Sequence, residues 1–452
     1  MASEKTQFVC QSCGNVSPKW MGKCSSCNNW NTYLEERAFN AKKGSVIAST
    51  SKSSHKPVLL HEVQEDEEKR LQFADGELNR IFGNGLVLGS LVLFAGEPGI
   101  GKSTLMLQAA LSMSENALYV SGEESEKQIK LRATRLNESS DKCYISTETC
   151  MNQLDAMIDQ VQPRLIVVDS IQTVYSQNVD AIAGNISQIK ECAQILLSIA
   201  KSRNIPIIII GHINKEGNIA GPKILEHLVD TVIQFEGEKN TSLRIVRCLK
   251  NRFGNTNETA IYEMKENGLQ ANTNPSKVLL SHLTELRSGI TIASACEGSR
   301  SYLVEVQSLV SSAVYGTPQR STTGYDTRRL NMILAVLEKR CGFRLSIKDV
   351  FLNIAGGFHI EDTSIDLAVA CSVLSSNEDI PIPYDIAIAG EIGLTGEIRP
   401  VQKIEKRLLE AEKMGLKRMI VSSYNKQDIS TKPQIEIIYC NNIEQVFSAV
   451  FG

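Results

Sequence analysis

The residues Gly96-Glu97-Pro98-Gly99-Ile100-Gly101-Lys102-Ser103 satisfy the pattern G-x-x-x-x-G-K-[ST] at every fixed position. Glycines at these places let backbone N–H groups turn inward around a phosphate, and a helix starting directly afterwards adds the partial positive charge of its N-terminus. In that arrangement Lys102 reaches the outer phosphates of ATP and the Ser103 hydroxyl holds Mg²⁺, with the binding loop running on through Thr104. A second cluster carries different chemistry. Cys10 and Cys13, then Cys24 and Cys27, form two C-x₂-C pairs joined by a short loop. Four thiolates close a tetrahedral shell, which predicts a structural Zn²⁺ site with no open position for catalysis. So small a block has little apolar core, so the ion would supply most of its folding energy. Trp20 and Trp30 are expected to pack around that site; left exposed, they would be able to stack on bases.

Further positions could act on a bound nucleotide. Asp169 ends the apolar run Leu165-Ile166-Val167-Val168, where a carboxylate meets the Mg²⁺ shell through water. Glu123, with Glu124 as runner-up, follows Ala117–Ser121 through Gly122 and is the candidate to orient or deprotonate the attacking water. That assignment takes Ala117–Ser121 as the strand next to the phosphate-loop strand; for Glu124 an acidic helix start at Ser125 is the plain alternative. His212 follows the run Pro206–Ile210 and is a candidate phosphate sensor or simply a structural histidine. Lys250 and Arg252, in Lys250-Asn251-Arg252-Phe253-Gly254, are spaced i and i+2. They leave a strand on one side, which suits a single anion, with a solvated basic turn as the alternative.

Bringing these groups together requires a particular set of elements. Leu91–Ala95 reads as a buried strand before the loop and Thr104–Leu111 as a helix after it. Leu118-Tyr119-Val120, Tyr144-Ile145, Leu165–Val168 and Pro206–Ile210 are unalternating apolar runs between helical patterns, which predicts a parallel sheet covered on both faces. Leu243–Leu249 and Thr259–Glu263 add a hairpin. The predicted fold class is α/β, with a zinc module over 1–32, a polar linker over 33–70, an ATPase domain over 71–272 and a separate α/β block over 276–452. In that last block Tyr325–Cys341 and Ser364–Leu374 have helical spacing, and Leu303–Val310 and Ile386–Ala389 read as strands. The net charge of −3 over 452 residues gives no global basic field, although residues 1–60 carry eight Lys and Arg against three acids. No apolar run approaches the length of a membrane span and the N-terminus has no signal-peptide core, so a cytoplasmic protein without a membrane partner is expected.

The Cys₄ motif, Gly96–Ser103, Leu165–Asp169, the K-N-R-F-G signature at Lys250–Gly254 and the C-terminal block follow one another in an order that resembles, along nearly the whole chain, the bacterial RadA (Sms) family of DNA repair and recombination proteins. The resemblance implies a RecA-like ATPase core, close to the domains of hexameric DnaB-type helicases. It implies a homohexameric ring in which Lys250 and Arg252 act in trans on the γ-phosphate of the neighbouring subunit. It also implies a DNA-dependent motor of the helicase or branch-migration type, with single-stranded and branched DNA and the RecA recombinase as partners. Residues 276–452 resemble the proteolytic domain of Lon, most clearly over Gly390–Val401. There Ser364 takes the nucleophile position, but Glu405 takes the position of the general-base lysine, Asp366 replaces a small residue, and Lys403 would point elsewhere. A Lon-like fold without peptidase activity follows; an ATP-dependent serine protease and a non-motor, ATP-switched DNA-binding scaffold are the rival readings. Arg328, Arg329, Lys339, Arg340, Arg344 and Lys348 gather around one helix, where they could meet duplex phosphates or solvent.

Overall fold

The computed structural model describes residues 6–12, 14–37, 59, 70–137, 140–212, 224–237, 242–256, 258–280, 285–313, 316–356, 359–430 and 432–452. The chain divides into two compact units. One holds Met1–Glu236, Ile245–Thr256 and Tyr262–Ala271, and the other holds Gly237–Arg244, Asn257–Ile261 and Asn272–Gly452.

The chain starts with a small antiparallel sheet, β1 (Thr6–Cys10), β2 (Val16–Ser17) and β3 (Tyr33–Arg37), in the order β2-β1-β3. Its core is Cys10, Cys24 and Tyr33, with Phe8, Met21 and Cys27 against it. After β4 (Arg70–Leu71), α1 (Gly76–Ile81) and β5 (Leu86–Val87) comes the central sheet. It is built from β6 (Leu91–Gly96), β7 (Ala117–Ser121), β8 (Cys143–Ser146), β9 (Leu165–Asp169), β10 (Ile207–His212), β11 (Thr231–Glu236), β12 (Leu243–Asn251), β13 (Thr259–Lys265) and β14 (Gly268–Ala271). Helices α2 (Lys102–Leu111), α3 (Glu126–Arg135), α4 (Leu154–Val161), α5 (Ile186–Arg203) and α6 (Ile224–Leu228) connect them. The order is β14-β13-β12-β11-β6-β10-β9-β7-β8, parallel from β11 to β8. Every residue of β6, β7 and β9 is buried. Their Leu, Val and Ile runs show no alternation because helices cover both faces.

One expectation fails here. Ala117–Ser121 is not next to the phosphate-loop strand, because β10 and β9 lie between β6 and β7. The crossover through α2 carries the chain past two strand positions that later segments fill.

The C-terminal stretch of the second unit runs through α7 (Pro275–Leu279), β15 (Ile290–Glu297), β16 (Arg300–Ser312), β17 (Arg320–Thr323), α8 (Thr327–Cys341), β18 (Lys348–Ile354) and α9 (Asp366–Glu378). Then come β19 (Ile386–Ala389), the β20 (Glu391–Ile392) and β21 (Ile398–Arg399) pair, α10 (Ile404–Lys413), β22 (Arg418–Ser422), β23 (Glu436–Cys440) and α11 (Ile443–Phe451). Its main sheet has the order β17-β18-β16-β15-β19-β22-β23. Helix α9 is buried all along Asp366–Ser375 and is entered through a 3₁₀ turn, Thr363–Ile365, so the predicted helix from Ser364 starts with a tighter turn. On α8, Arg329 does not belong to a basic face: it grips the buried carboxylate of Asp366 through Nε at 2.6 Å and through Nη2.

Candidate active site

The loop that leaves β6 passes into α2 at Gly101, with φ +118°, where a Cβ would lie 2.7 Å from Met264 Cε. Glycine alone fits that backbone. Gly101 gives no side-chain cap, so the first amides of α2 stay available to a ligand. The helix begins at Lys102, two residues before the sequence pattern suggested. Lys102 is 3% exposed, and its Nζ donates to Gly96 O and Glu97 O, both at 2.7 Å, and meets His212 Nδ1 at 3.2 Å. Burial pushes its ammonium down to about 8, against the pull of Asp169, Glu123 and Glu97.

Asp169 closes β9 with its carboxylate buried. Oδ2 accepts from Tyr119 OH at 2.6 Å, whereas Oδ1 has no hydrogen-bond partner among the described residues. A buried carboxylate oxygen left over in this way fits a place in a Mg²⁺ shell. The next residue, Ser170, gives its hydroxyl to Glu123 Oε1 at 2.6 Å. His212, level with Gly96 on the adjacent strand, meets the same oxygen through Nε2 at 3.0 Å. Because the Lys102 ammonium can only donate, Nδ1 of His212 accepts and Nε2–H donates. Lys102, His212, Glu123 and Ser170 thus form one chain of hydrogen bonds. His212 first, then Ser170 and the charge of Lys102, hold the Glu123 carboxyl down at about 2. Gly122 allows the turn: a Cβ there would lie 2.2 Å from Thr173 Oγ1. Glu124 goes the other way. It pairs with Arg132 of α3, beside a capping box formed by Ser125 and Gln128.

Lys250 and Arg252 are not in this cluster. Lys250 pairs across β11 with Val232, which is level with Leu93, while Gly96 is level with Phe235 and Val246. At roughly 3.3 Å per residue the pair starts about 10 Å along the strand direction from the loop end of β6, towards the opposite end of the strands. Both cations turn to one segment. Lys250 Nζ donates to Glu226 O at 2.6 Å and Val229 O at 2.8 Å, and Arg252 Nη1 meets Asp230 Oδ1 at 3.3 Å.

In the zinc module the ligand atoms of Cys10, Cys24 and Cys27 lie within 4.8 Å of one another. Both knuckles close through the same bonds, Gly14 N–H to Cys10 O and Asn28 N–H to Cys24 O. That donor set fits Zn²⁺; Cys13 lies outside the described residues. Trp20 and Trp30 are exposed instead of packed.

In the second unit a cavity of about 420 Å³ opens beside Ser364, lined among others by Asp362, Glu391, Lys403 and Arg407. Ser364 Oγ donates to Ser294 O at 3.0 Å and accepts from Arg407 Nη1 at 2.8 Å. Glu405 faces away and accepts from Ser430 N–H at 2.8 Å. Two positions along a helix turn a side chain by about 200°, which is why Arg407 reaches the serine and Glu405 does not.

Residues 8–35 match the model of a rubredoxin metal-binding domain, 57–218 that of an AAA domain, and 305–425 that of subunit ChlI of Mg-chelatase. The DNA repair protein RadA of Bacillus subtilis is 46% identical over 458 residues, covering all of both chains. That of Listeria monocytogenes is 46% identical over 440 residues, 97% of this chain and 96% of its own. The chain belongs to the bacterial RadA family. It has the family's zinc ribbon, its P-loop ATPase core and its Lon-like C-terminal block. A KaiC-like protein of Pyrococcus horikoshii aligns with a TM-score of 0.38 at 17% identity, over 45% of this chain and 99% of its own. Among the described residues no helix is long and apolar enough to cross a membrane.

Sequence reading misses Tyr119, Ser170 and Arg407. Ser170 adjoins Asp169 and could have been suspected from that alone. Tyr119 and Arg407 carry no motif, since their roles depend on strand register and on a helix face.

Proposed function

We propose that this chain is a cytoplasmic, DNA-dependent ATPase motor that acts as a homohexameric ring on single-stranded and branched DNA, driving helicase or branch-migration steps alongside the RecA recombinase. ATP binds over Gly96–Thr104, with Lys102 at the outer phosphates. Ser103 and Asp169 hold Mg²⁺, which supplies charge neutralisation at the transferring phosphoryl group. Glu123, oriented by Ser170 and His212, positions the attacking water. Cys10, Cys13, Cys24 and Cys27 hold the structural Zn²⁺.

The observation that carries the reading is the register of β12. Lys250 and Arg252 are about 10 Å along the sheet from their own phosphate loop. That separation supports their serving a nucleotide on another subunit, where a trans cation of this kind is worth about 10³–10⁵ in rate. The protease reading is disfavoured by Ser364, whose proton is already given to a carbonyl and whose neighbour is a guanidinium that takes no proton.

Mixing subunits tests the assignment. Lys102→Ala and Lys250→Ala each abolish DNA-stimulated ATPase alone, and mixed rings regain part of it because some interfaces pair two intact halves. Mixed rings that form without any recovery would count against action in trans. Full ATPase without strand displacement or branch migration would favour the scaffold reading.

A further inference from the structure

The zinc module exposes what small domains usually bury. Its two indoles, Trp20 and Trp30, are the only tryptophans in the chain, and they are 55% and 69% exposed. Burying an indole is the largest apolar gain open to so small a unit, so leaving both in water needs a reason. The rings are also held together. Trp30 pairs with Lys23 across an antiparallel bridge, and Asn31 N–H donates to Gly22 O at 2.7 Å. A methyl group on Gly22 would lie 3.7 Å from the Trp20 ring and 3.9 Å from the Trp30 ring. The two indoles therefore flank one bare stretch of backbone. The Lys23 ammonium lies 5.7 Å from the Trp30 ring centroid, Lys19 directly precedes Trp20, and no Asp or Glu occurs from position 7 to 34.

Neighbouring aromatic faces with the Lys23 ammonium beside one, Lys19 next in sequence to the other and no acidic residue from position 7 to 34 suit a ligand that offers unpaired flat rings and a string of anions. Single-stranded nucleic acid has both, and stacking on it is tolerant of sequence. A duplex keeps its ring faces stacked on one another. We propose that Trp20 and Trp30 form a stacking platform for single-stranded nucleic acid, with Lys19 and Lys23 on its phosphates. The proposal rests on the reading of the chain as acting on single-stranded DNA, and it names residues that would hold the strand.

The chain supplies its own probe, since indole emission comes from this module alone. Full-length, zinc-loaded protein is titrated with oligo(dT), following indole emission and, in parallel, the anisotropy of a labelled strand. Saturable quenching with the Kd seen by anisotropy is expected, with no change on adding a duplex of equal length. Trp30→Ala should weaken strand binding about 5- to 150-fold, with Trp30→Phe keeping most of it. A strand that binds while emission stays silent overturns the platform and leaves the DNA-acting reading standing; no strand binding at all overturns both. Emission that responds only to an added recombinase marks a protein-docking face and overturns the proposal. Should Trp30→Ala release zinc, the wild-type quench and Trp30→Phe still decide.

Discussion

Two sites in this chain place a hydroxyl, a carboxylate and a buried cation side by side, and they have opposite economies of hydrogen bonding. Around the phosphate loop, the amides at the start of α2 have no cap and Asp169 Oδ1 has no partner among the described residues. Lys102 gives its three donors to Gly96 O, Glu97 O and His212 Nδ1. Around Ser364 most groups are engaged, although Ser294 Oγ has no hydrogen-bond partner among the described residues. Arg407 donates to Gln402 O, Ser294 O, Ser364 Oγ and Asp362, and the Ser364 proton goes to Ser294 O. Groups left over in the first site are open to a ligand; in the second, the Ser364 hydroxyl and the Arg407 guanidinium are engaged with one another. The buried cation itself does not separate the two sites, since Lys102 uses all three of its donors and Arg407 four of its five; the uncapped amides of α2 and the unpartnered Asp169 Oδ1 do.

Substitutions can sharpen or break that contrast. The largest effect is expected from Glu123→Gln, which should lower kcat for ATP by about 10²–10⁴-fold with little change in nucleotide affinity. Glu124→Gln, which loses only the contact with Arg132, should leave kcat near the parent value. Equal losses in steady-state assays of the two variants would remove the distinction. Next comes Arg407→Met, which strands the Asp362 carboxylate. It should destabilise the second unit by about 3–5 kcal/mol in denaturant unfolding while leaving casein undegraded. A variant that gained peptidase activity would show that the site is blocked rather than built over.

A smaller effect concerns pH. Lys102 titrates at about 8 in the empty site, and a bound polyphosphate raises that value. Binding above pH 8 must then take up a proton, so nucleotide affinity should fall by up to about tenfold per unit as pH rises above 8 and be flat below it. Kd values for a fluorescent nucleotide measured across that range check the sign, and a pH-independent Kd would mean the ammonium is not desolvated.

How much of this could be read in advance differs between the two sites for a physical reason. Gly96–Ser103 and Leu165–Asp169 are local signals, where a loop and a strand end suffice to fix the chemistry. Glu123 was legible as a residue, but its route into the site was not: β7 lies two strands further from β6 than expected, and Glu123 is tied to Lys102 through His212. Near Ser364 the sequence placed Glu405 where the Lon resemblance expects a lysine, and that carboxylate accepts from Ser430. The sequence could not show that Arg407, on the other face of α10, had taken the serine's lone pair. Likewise Arg329 reads as part of a basic stripe until the fold places Asp366 beneath it. Residues whose role depends on what arrives from distant segments carry no trace of it in their own neighbourhood.

The hold of Lys250 on α6 has one more consequence. Its ammonium is the donor that the carbonyls of Glu226 and Val229 share. Anything that draws this side chain outward leaves those oxygens without it and loosens the end of the helix. Arg252 holds the next stretch, at His227 O and Asp230, and Asp230 Oδ2 in turn accepts the N–H of Leu91, the first residue of β6. A tug on the end of β12, two strands across from β6, would thus be felt at the root of the strand that carries the phosphate loop, as a rope pulled at one cleat shifts the next.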